Sequence, residues 1–241
     1  IVAGRMMPRM SPAQDDAEER KRITTLVMSG TNLELIDNID FALVSQLKAD
    51  AAHEPFPLKD GAWQALVCDL SVEPFNKPGF VRAMKLGVDR QQSVDTAYAG
   101  LASIGFDGPI PGSDPYFTAD LKATGRDVAA AKEALKEAGY PNGIDLPFDL
   151  VTVFGFGIDN LAAAVKEQLA EVGIRFNIRQ GGPTFWDTVY LHEPFYIPDW
   201  NRRHPFEIYG LLTTTENMTK LDNAELKAAL DAAASPTDFE L

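Results

Sequence analysis

The sequence predicts an α/β fold, and three observations carry that expectation. Helical and strand patterns alternate along the chain. Between Leu146 and Ile178 the order strand, helix, strand has the length of a βαβ unit, for which a right-handed parallel crossover is expected. At 45% hydrophobic and 24% charged residues the composition supports a packed globular core.

Taken in order, residues 13–28 form a charged helical segment with Ile23, Leu26 and Val27 on one side, stopped by Ser29-Gly30. Leu33 to Ile36 is a short strand. Asp40 caps a helix carrying Leu43, Val44 and Leu47 at helical spacing. Beyond Pro55-Phe56-Pro57, a strand is expected over Trp63–Leu70, and Glu73-Pro74-Phe75 marks a turn. Helices follow from about Gly79 to Val88 and from Asp89 to Tyr98, with Gly100 as the stop. Residues 105–125, rich in Gly, Pro, Ser and Asp, predict an extended surface loop.

The clearest local signals come next. Asp127 caps a helix with Val128, Ala131, Leu135 and Ala138 on one face, ended by Gly139-Tyr140-Pro141. Leu146–Phe154 is a strand, and Asp159 is expected to cap a helix carrying Leu161, Val165, Leu169 and Val172 inward as far as Gly173. Ile174–Ile178 is the next strand. A helix near Thr184–Tyr190, a strand at Phe195–Pro198, a loop over Asp199–Pro205 and a last helix from Asp222 or Asn223 complete the order. Leu226 and Leu230 face inward on that helix. The chain opens on Ile1-Val2-Ala3-Gly4 and closes on Thr237-Asp238-Phe239-Glu240-Leu241, which has the form of a helix cap and first turn. A fragment of a longer protein is expected.

Charge narrows the function classes. The formal charge is −13, from 35 acids against 22 bases with no basic stripe, which argues against nucleic-acid and anionic-membrane partners. No run of about 18 apolar residues occurs, so no membrane-spanning helix is expected. Cys68, the single cysteine, lies in the apolar run Leu66–Leu70, where a buried, inert thiol is expected. His53, His192 and His204 lie far apart and show no zinc spacing, and no cofactor is called for. The paired carboxylates Asp15-Asp16 and Glu18-Glu19 are expected as solvated helix charge.

Catalytic motifs are missing from the sequence. Gly155-Phe156-Gly157 follows a strand and precedes a helix, but Asn160 stands where a dinucleotide motif would place its third glycine. A plain tight turn is the preferred reading, with a phosphate-binding turn of an α/β enzyme as the alternative. The segment Phe195-Tyr196-Ile197-Pro198-Asp199-Trp200-Asn201-Arg202-Arg203-His204-Pro205 is different: an aromatic strand end runs into a polar loop with two arginines. A Trp face packs on apolar ligand portions and a guanidinium fork holds a carboxylate. Equally, Trp200 can plug the core while the arginines balance local acids, or the segment can form a protein–protein patch.

From about Met28 onward the sequence resembles the peptide/nickel/oligopeptide class, family 5, of extracytoplasmic solute-binding proteins that feed ABC importers. The passages that carry the likeness stand in order. They are Ser29-Gly30 with Leu33 to Asp37; Glu73-Pro74-Phe75 with Val81-Arg82-Ala83; Val88-Asp89-Arg90; Gly108-Pro109-Ile110-Pro111; Ala138-Gly139-Tyr140-Pro141 with Gly143; Glu167-Gln168-Leu169 with Gly173-Ile174; and Asp222-Asn223-Ala224-Glu225-Leu226. The resemblance implies a type II periplasmic-binding-protein-like lobe, a mixed sheet flanked by helices, belonging to a two-lobed protein. Residues 1–64 would be the residual first lobe and 65–241 an incomplete second lobe, with Ala65–Val72 near the strands that link the two. It implies a non-catalytic receptor in the periplasm or another extracytoplasmic space, with a peptide or small-molecule solute and a membrane permease as partners. Trp200 is then expected to pack on the solute, Arg203 and after it Arg202 to hold an anionic group, and Asn201 to supply an amide contact. An arginine pair where family members often carry an acidic residue implies a carboxylate-bearing solute: a modified peptide, an opine-like compound or another small acid. A directly bound nickel ion would need clustered imidazoles, which the sequence lacks.

Overall fold

Hydrogen bonding in this protein centres on one short strand, Phe195–Ile197. The computed structural model describes residues 41–49, 54, 61–118, 120–153, 155 and 157–234. The expected helix over 13–28, the strand at Leu33–Ile36, the cap at Asp40, the Pro55–Pro57 stretch, His53 and the closing residues from 235 onward lie outside them.

The described helices are α1 (Phe41–Ala49), α2 (Pro78–Gly87), α3 (Arg90–Tyr98), α4 (Val128–Glu137), α5 (Ile158–Val172), α6 (Phe185–Thr188), α7 (Pro205–Thr213) and α8 (Ala224–Ala234). The strands are β1 (Trp63–Gln64), β2 (Val67–Cys68), β3 (Ile144–Asp145), β4 (Leu150–Thr152), β5 (Ile174–Arg175), β6 (Ile178–Gln180), β7 (Phe195–Ile197) and β8 (Asp199–Trp200). The main sheet runs β2-β7-β4-β6. β7 is antiparallel to β2 and parallel to β4, and β4 is parallel to β6. This is the mixed sheet expected, with the βαβ unit realised as β4-α5-β6.

Local chemistry explains the helices. Asp89 and Asp127 accept the N–H groups of Gln92 and Ala130 at 2.9 Å, satisfying donors that the first turn of α3 and of α4 leaves free. Gly173 ends α5 in the left-handed conformation, its N–H reaching the carbonyls of Leu169 and Ala170. Phe80, Ala83, Met84 and Gly87 form the buried stripe of α2. A Cβ at Gly87 would stand 2.9 Å from both Leu169 and Val172, so the glycine sets the close approach of α2 to α5. Asp159 corrects the expected cap: the N-cap is Gly157, and Asp159 lies inside the first turn of α5.

Each long strand expected from apolar runs is divided. Trp63–Leu70 becomes β1 and β2, and Ile174–Ile178 becomes β5 and β6, with buried Phe176 between them. Leu146–Phe154 keeps only Leu150–Thr152. Aromatic rings fill the core beneath the main sheet. Phe75 lies 5.2 Å from Phe195, 5.8 Å from Phe80 and 6.0 Å from Phe148, and Phe195 meets Phe176 edge-on at 5.1 Å. Desolvation pushes the thiol of part-buried Cys68 up to about 12, so it stays protonated.

Phe195→Ala should therefore cost about 3–5 kcal/mol in equilibrium urea unfolding, because the ring is fully enclosed and packs on Phe75 and Phe176 from two separate segments. A loss under about 1 kcal/mol would mean that the cluster collapses around the gap.

Candidate ligand-binding site

The site grows from a ribbon that outlasts the main sheet. The pairs Cys68–Phe195, Val67–Tyr196, Gln64–Asp199 and Trp63–Trp200 fall in one antiparallel register, so β1 and β2 face β8 and β7 continuously. The gap between the two pieces falls at Pro198, which has no N–H to donate. Beyond it the ribbon leaves the main sheet and carries Trp200 to its far end, stacked on Trp63 with ring centroids 5.8 Å apart and planes at 27°. Tyr190 packs at 6.1 Å from Trp200, and the exposed Trp186 at 5.1 Å from Tyr190.

Around this stack, polar groups fall into two sets. The indole N–H groups of Trp63 and Trp200 are buried with no hydrogen-bond partner among the described residues, while the Tyr190 hydroxyl and the Glu216 carboxylate are buried against each other. Burial, then the nearby Glu216 carboxylate, pushes the Tyr190 phenol far above its usual range. The other set is fully engaged. The Tyr98 hydroxyl donates to Gln64 Oε1, and Gln64 Nε2 donates to Asp199 Oδ1 at 3.2 Å, fixing the ribbon against the end of α3.

The two arginines part company. Arg202 donates from Nε and Nη2 to Asp114 Oδ2 at 3.1 and 2.7 Å, and the Asp114 side chain is 1% exposed. The Tyr116 N–H donates to Asp114 Oδ1 at 2.9 Å. That bond, and after it Arg202, hold the Asp114 carboxyl below its ordinary value against the desolvation that raises it. Gly61 leaves room for the arginine, since a Cβ there would stand 2.9 Å from the Arg202 stem. Arg203 instead lies over the Trp200 ring, 5.4 Å from its centroid, and pairs with Glu207 one turn along α7, both side chains staying near half exposed. Asn201 is exposed, and the His204 side chain caps α7 by accepting the Phe206 N–H at 3.3 Å.

Of the residues picked out in the sequence, the structure thus brings Trp200 and Arg203 together, turns Arg202 towards the 105–118 loop and leaves Asn201 at the surface. Trp200 is only 8% exposed, so the core-plug and ligand-face readings share one residue. Sequence reasoning missed Trp63, Asp114, Tyr190 and Glu207. Only Glu207 had a local signal: Pro205 followed by an acid in the first turn marks a helix start, and α7 begins at the end of the loop expected over Asp199–Pro205, whose first two residues form β8.

The Gly155–Gly157 turn has a packing role. A Cβ at Gly157 would stand 2.7 Å from the Ala97 carbonyl oxygen, so glycine lets this turn touch the end of α3. The first turn of α5 already holds a carboxylate, Asp159, which accepts from Thr152 Oγ1 at 3.2 Å and Gln180 Nε2 at 3.0 Å. A phosphate arriving there would meet a like charge, which speaks against the phosphate-binding alternative. Among the described residues no three His, Cys, Asp or Glu side chains gather as a metal site, and no helix is long and apolar enough to cross a membrane.

The family model for the middle region of bacterial extracellular solute-binding proteins, family 5, matches residues 19–220. The chain belongs to that family. Over 114 residues, 46% of this chain and 21% of the relative, it is 29% identical to the glutathione-binding protein GsiB of Pectobacterium atrosepticum. Its fold is that of a type II periplasmic-binding-protein lobe. The substrate-binding protein CtaP of an ABC transporter of Listeria monocytogenes superposes with a TM-score of 0.74 at 16% identity, over 93% of this chain and 46% of that one. AgaA of Agrobacterium tumefaciens R10, solved with agropinic acid, gives 0.69 at 23% identity, over 92% and 46%. The chain thus spans less than half the length of these two solved proteins.

The Arg202–Asp114 tie has a testable sign. A carboxyl lowered in the folded state contributes stability that is complete above its ordinary value of 3.8 and fades as pH falls through the lowered value. Carbon-detected NMR titration should place Asp114 below 3.8, and Arg202→Ala should move it upward while the Tyr116 bond keeps part of the depression. An unchanged titration in the variant would remove Arg202 from the account.

Proposed function

We propose that this chain is part of an extracytoplasmic receptor of an ABC importer, one that binds a carboxylate-bearing solute and hands it to a membrane permease without chemical change. Residues 65–241 would make up most of the second lobe and residues 1–64 the remainder of the first. The ribbon β1-β2 against β8-β7 lies where the chain passes between them.

One observation carries the solute class. A guanidinium, Arg203, lies on the Trp63–Trp200 stack, and both indole N–H groups of that stack are buried donors without partners. The guanidinium and the two indole N–H groups are donors, which suit a carboxylate or an acceptor-rich amide. The ligands named for two relatives, glutathione and agropinic acid, are both carboxylate-bearing and support the same class. Arg203 can turn to a solute at small cost, because its pair with Glu207 is an exposed one-turn pair worth about 0.3–0.5 kcal/mol. Closure then requires the solute to be held better in the closed state than in the open one, through contacts from both lobes.

Isothermal titration of the full-length protein with glutathione, agropinic acid and simple N-acyl amino acids tests this. At least one carboxylate should bind, and Arg203→Ala should weaken it roughly tenfold or more, the worth of one charge-assisted hydrogen bond. Tight binding of the matching uncharged amides, or equal affinity in Arg203→Ala, overturns the assignment.

A further inference from the structure

Beyond Pro198 the main sheet gives way to the two-residue ladder of β1 and β8, and Trp200 ends that ladder. A ladder of two pairs is marginal by itself. Side chains add a second hold. Gln64 lies opposite Asp199, its Nε2 donates to Asp199 Oδ1 at 3.2 Å, and its Oε1 accepts from the Tyr98 hydroxyl. Tyr98 is the last residue of α3, and its ring is fixed on two further sides. Phe41 of α1 meets it edge-on at 5.4 Å, and a Cβ at Gly157 would stand 3.1 Å from it.

Charge gives this chain of bonds a single sense. An ionised Asp199 only accepts, so the Gln64 amide must present its NH2 end there. That leaves Oε1 towards Tyr98, and the hydroxyl must donate to it. The phenol is kept able to donate, because burial and then the Asp199 charge push it well above its ordinary range. Without the hydroxyl the part-buried Oε1 has lost the donor that fixes the amide, and a reversed amide would set its oxygen against the Asp199 carboxylate. Asp199 immediately precedes Trp200, so an error there is delivered to the Trp63–Trp200 stack and to the Arg203 guanidinium lying on it.

We infer that Tyr98 is a positioning residue of the solute site: its hydroxyl, acting through Gln64 and Asp199, holds the Trp63–Trp200 stack in the arrangement a solute meets. The inference rests on the receptor reading above for the solute. It goes beyond that reading by adding a residue that acts on the site only through others.

The test uses the full-length protein. Two indoles stacked at 5.8 Å couple their transitions, and the resulting paired circular-dichroism band reports the stack with no solute present. Tyr98→Phe keeps the ring and removes the hydroxyl, and should diminish this band while the melting temperature stays near that of the wild type. It should also weaken glutathione or agropinic acid, whichever the wild type binds, roughly 3- to 10-fold, the worth of one hydrogen bond. Gln64→Glu sets a second carboxylate against Asp199 and should diminish the band at about pH 7.5, with recovery at about pH 5. Recovery is expected because the new carboxyl, once protonated, can donate to Asp199 and accept from Tyr98 as the amide does. Tyr98→Phe has no such group and should not recover. An unchanged band in both variants overturns the positioning role, whatever the affinities. So does a diminished band with unchanged affinity, since the stack would then move without consequence for the solute. If the band behaves as expected while neither acid binds the wild type, the receptor reading falls and the hold of Tyr98 on the stack stands.

Discussion

The constraint on which the rest depends is the double pairing of Phe195–Ile197. These three residues are fully buried; Phe195 and Tyr196 pair antiparallel with Cys68 and Val67, and Tyr196 and Ile197 pair parallel with Val151 and Thr152. A strand so placed has no freedom of register, because a one-residue slip would turn Phe195 away from Phe75 and Phe176. The residues that follow inherit that rigidity. Pro198 ends the pairing in the main sheet, Asp199 is held through Gln64, and Trp200 lands on Trp63. The site is therefore a loop launched from a fixed point, which is how a scaffold gives precision to residues that are themselves exposed.

Two adjacent arginines in that loop have opposite roles because their partners differ in burial. Asp114 is enclosed, so removing Arg202 would leave a buried carboxylate with only the Tyr116 N–H against its charge, and that penalty makes the pair hard to open. Glu207 is exposed and would be rehydrated at once if Arg203 left it. Arg202 thus straps the 105–118 loop to the ribbon, while Arg203 is the cation that can change partners at lower cost. Sequence alone ranks them only by resemblance. Geometry ranks them by what each would leave behind.

Much of the helical scaffold was legible because its signals are local. Asp89, Asp127 and Gly173 act within four residues of themselves, so a cap or stop is visible without knowing the fold. The strands were less so: an apolar run such as Trp63–Leu70 shows that a segment is buried, but its division depends on Pro198, far along the chain on the partner strand. Asp159 looked like a cap because it stands two residues from the true one, Gly157, and its carboxylate is drawn to Thr152 and Gln180 by the parallel pairing of β4 and β6. Trp200 and Arg203 stood out as residue types. The Trp63 stack and the Asp114 strap did not, since no local periodicity encodes a contact between segments so distant in sequence.

These pieces bear on how such a lobe would respond to a solute. The buried indole donors of Trp63 and Trp200 have no partner among the described residues, so under the proposed reading an acceptor on the solute would find two donors already free of competing bonds. Arg203 adds a charge that can change partners at little cost. Under the proposed reading a solute would meet the buried indole donors in fixed positions, because the strand Phe195–Ile197 holds the ribbon that carries them in one register.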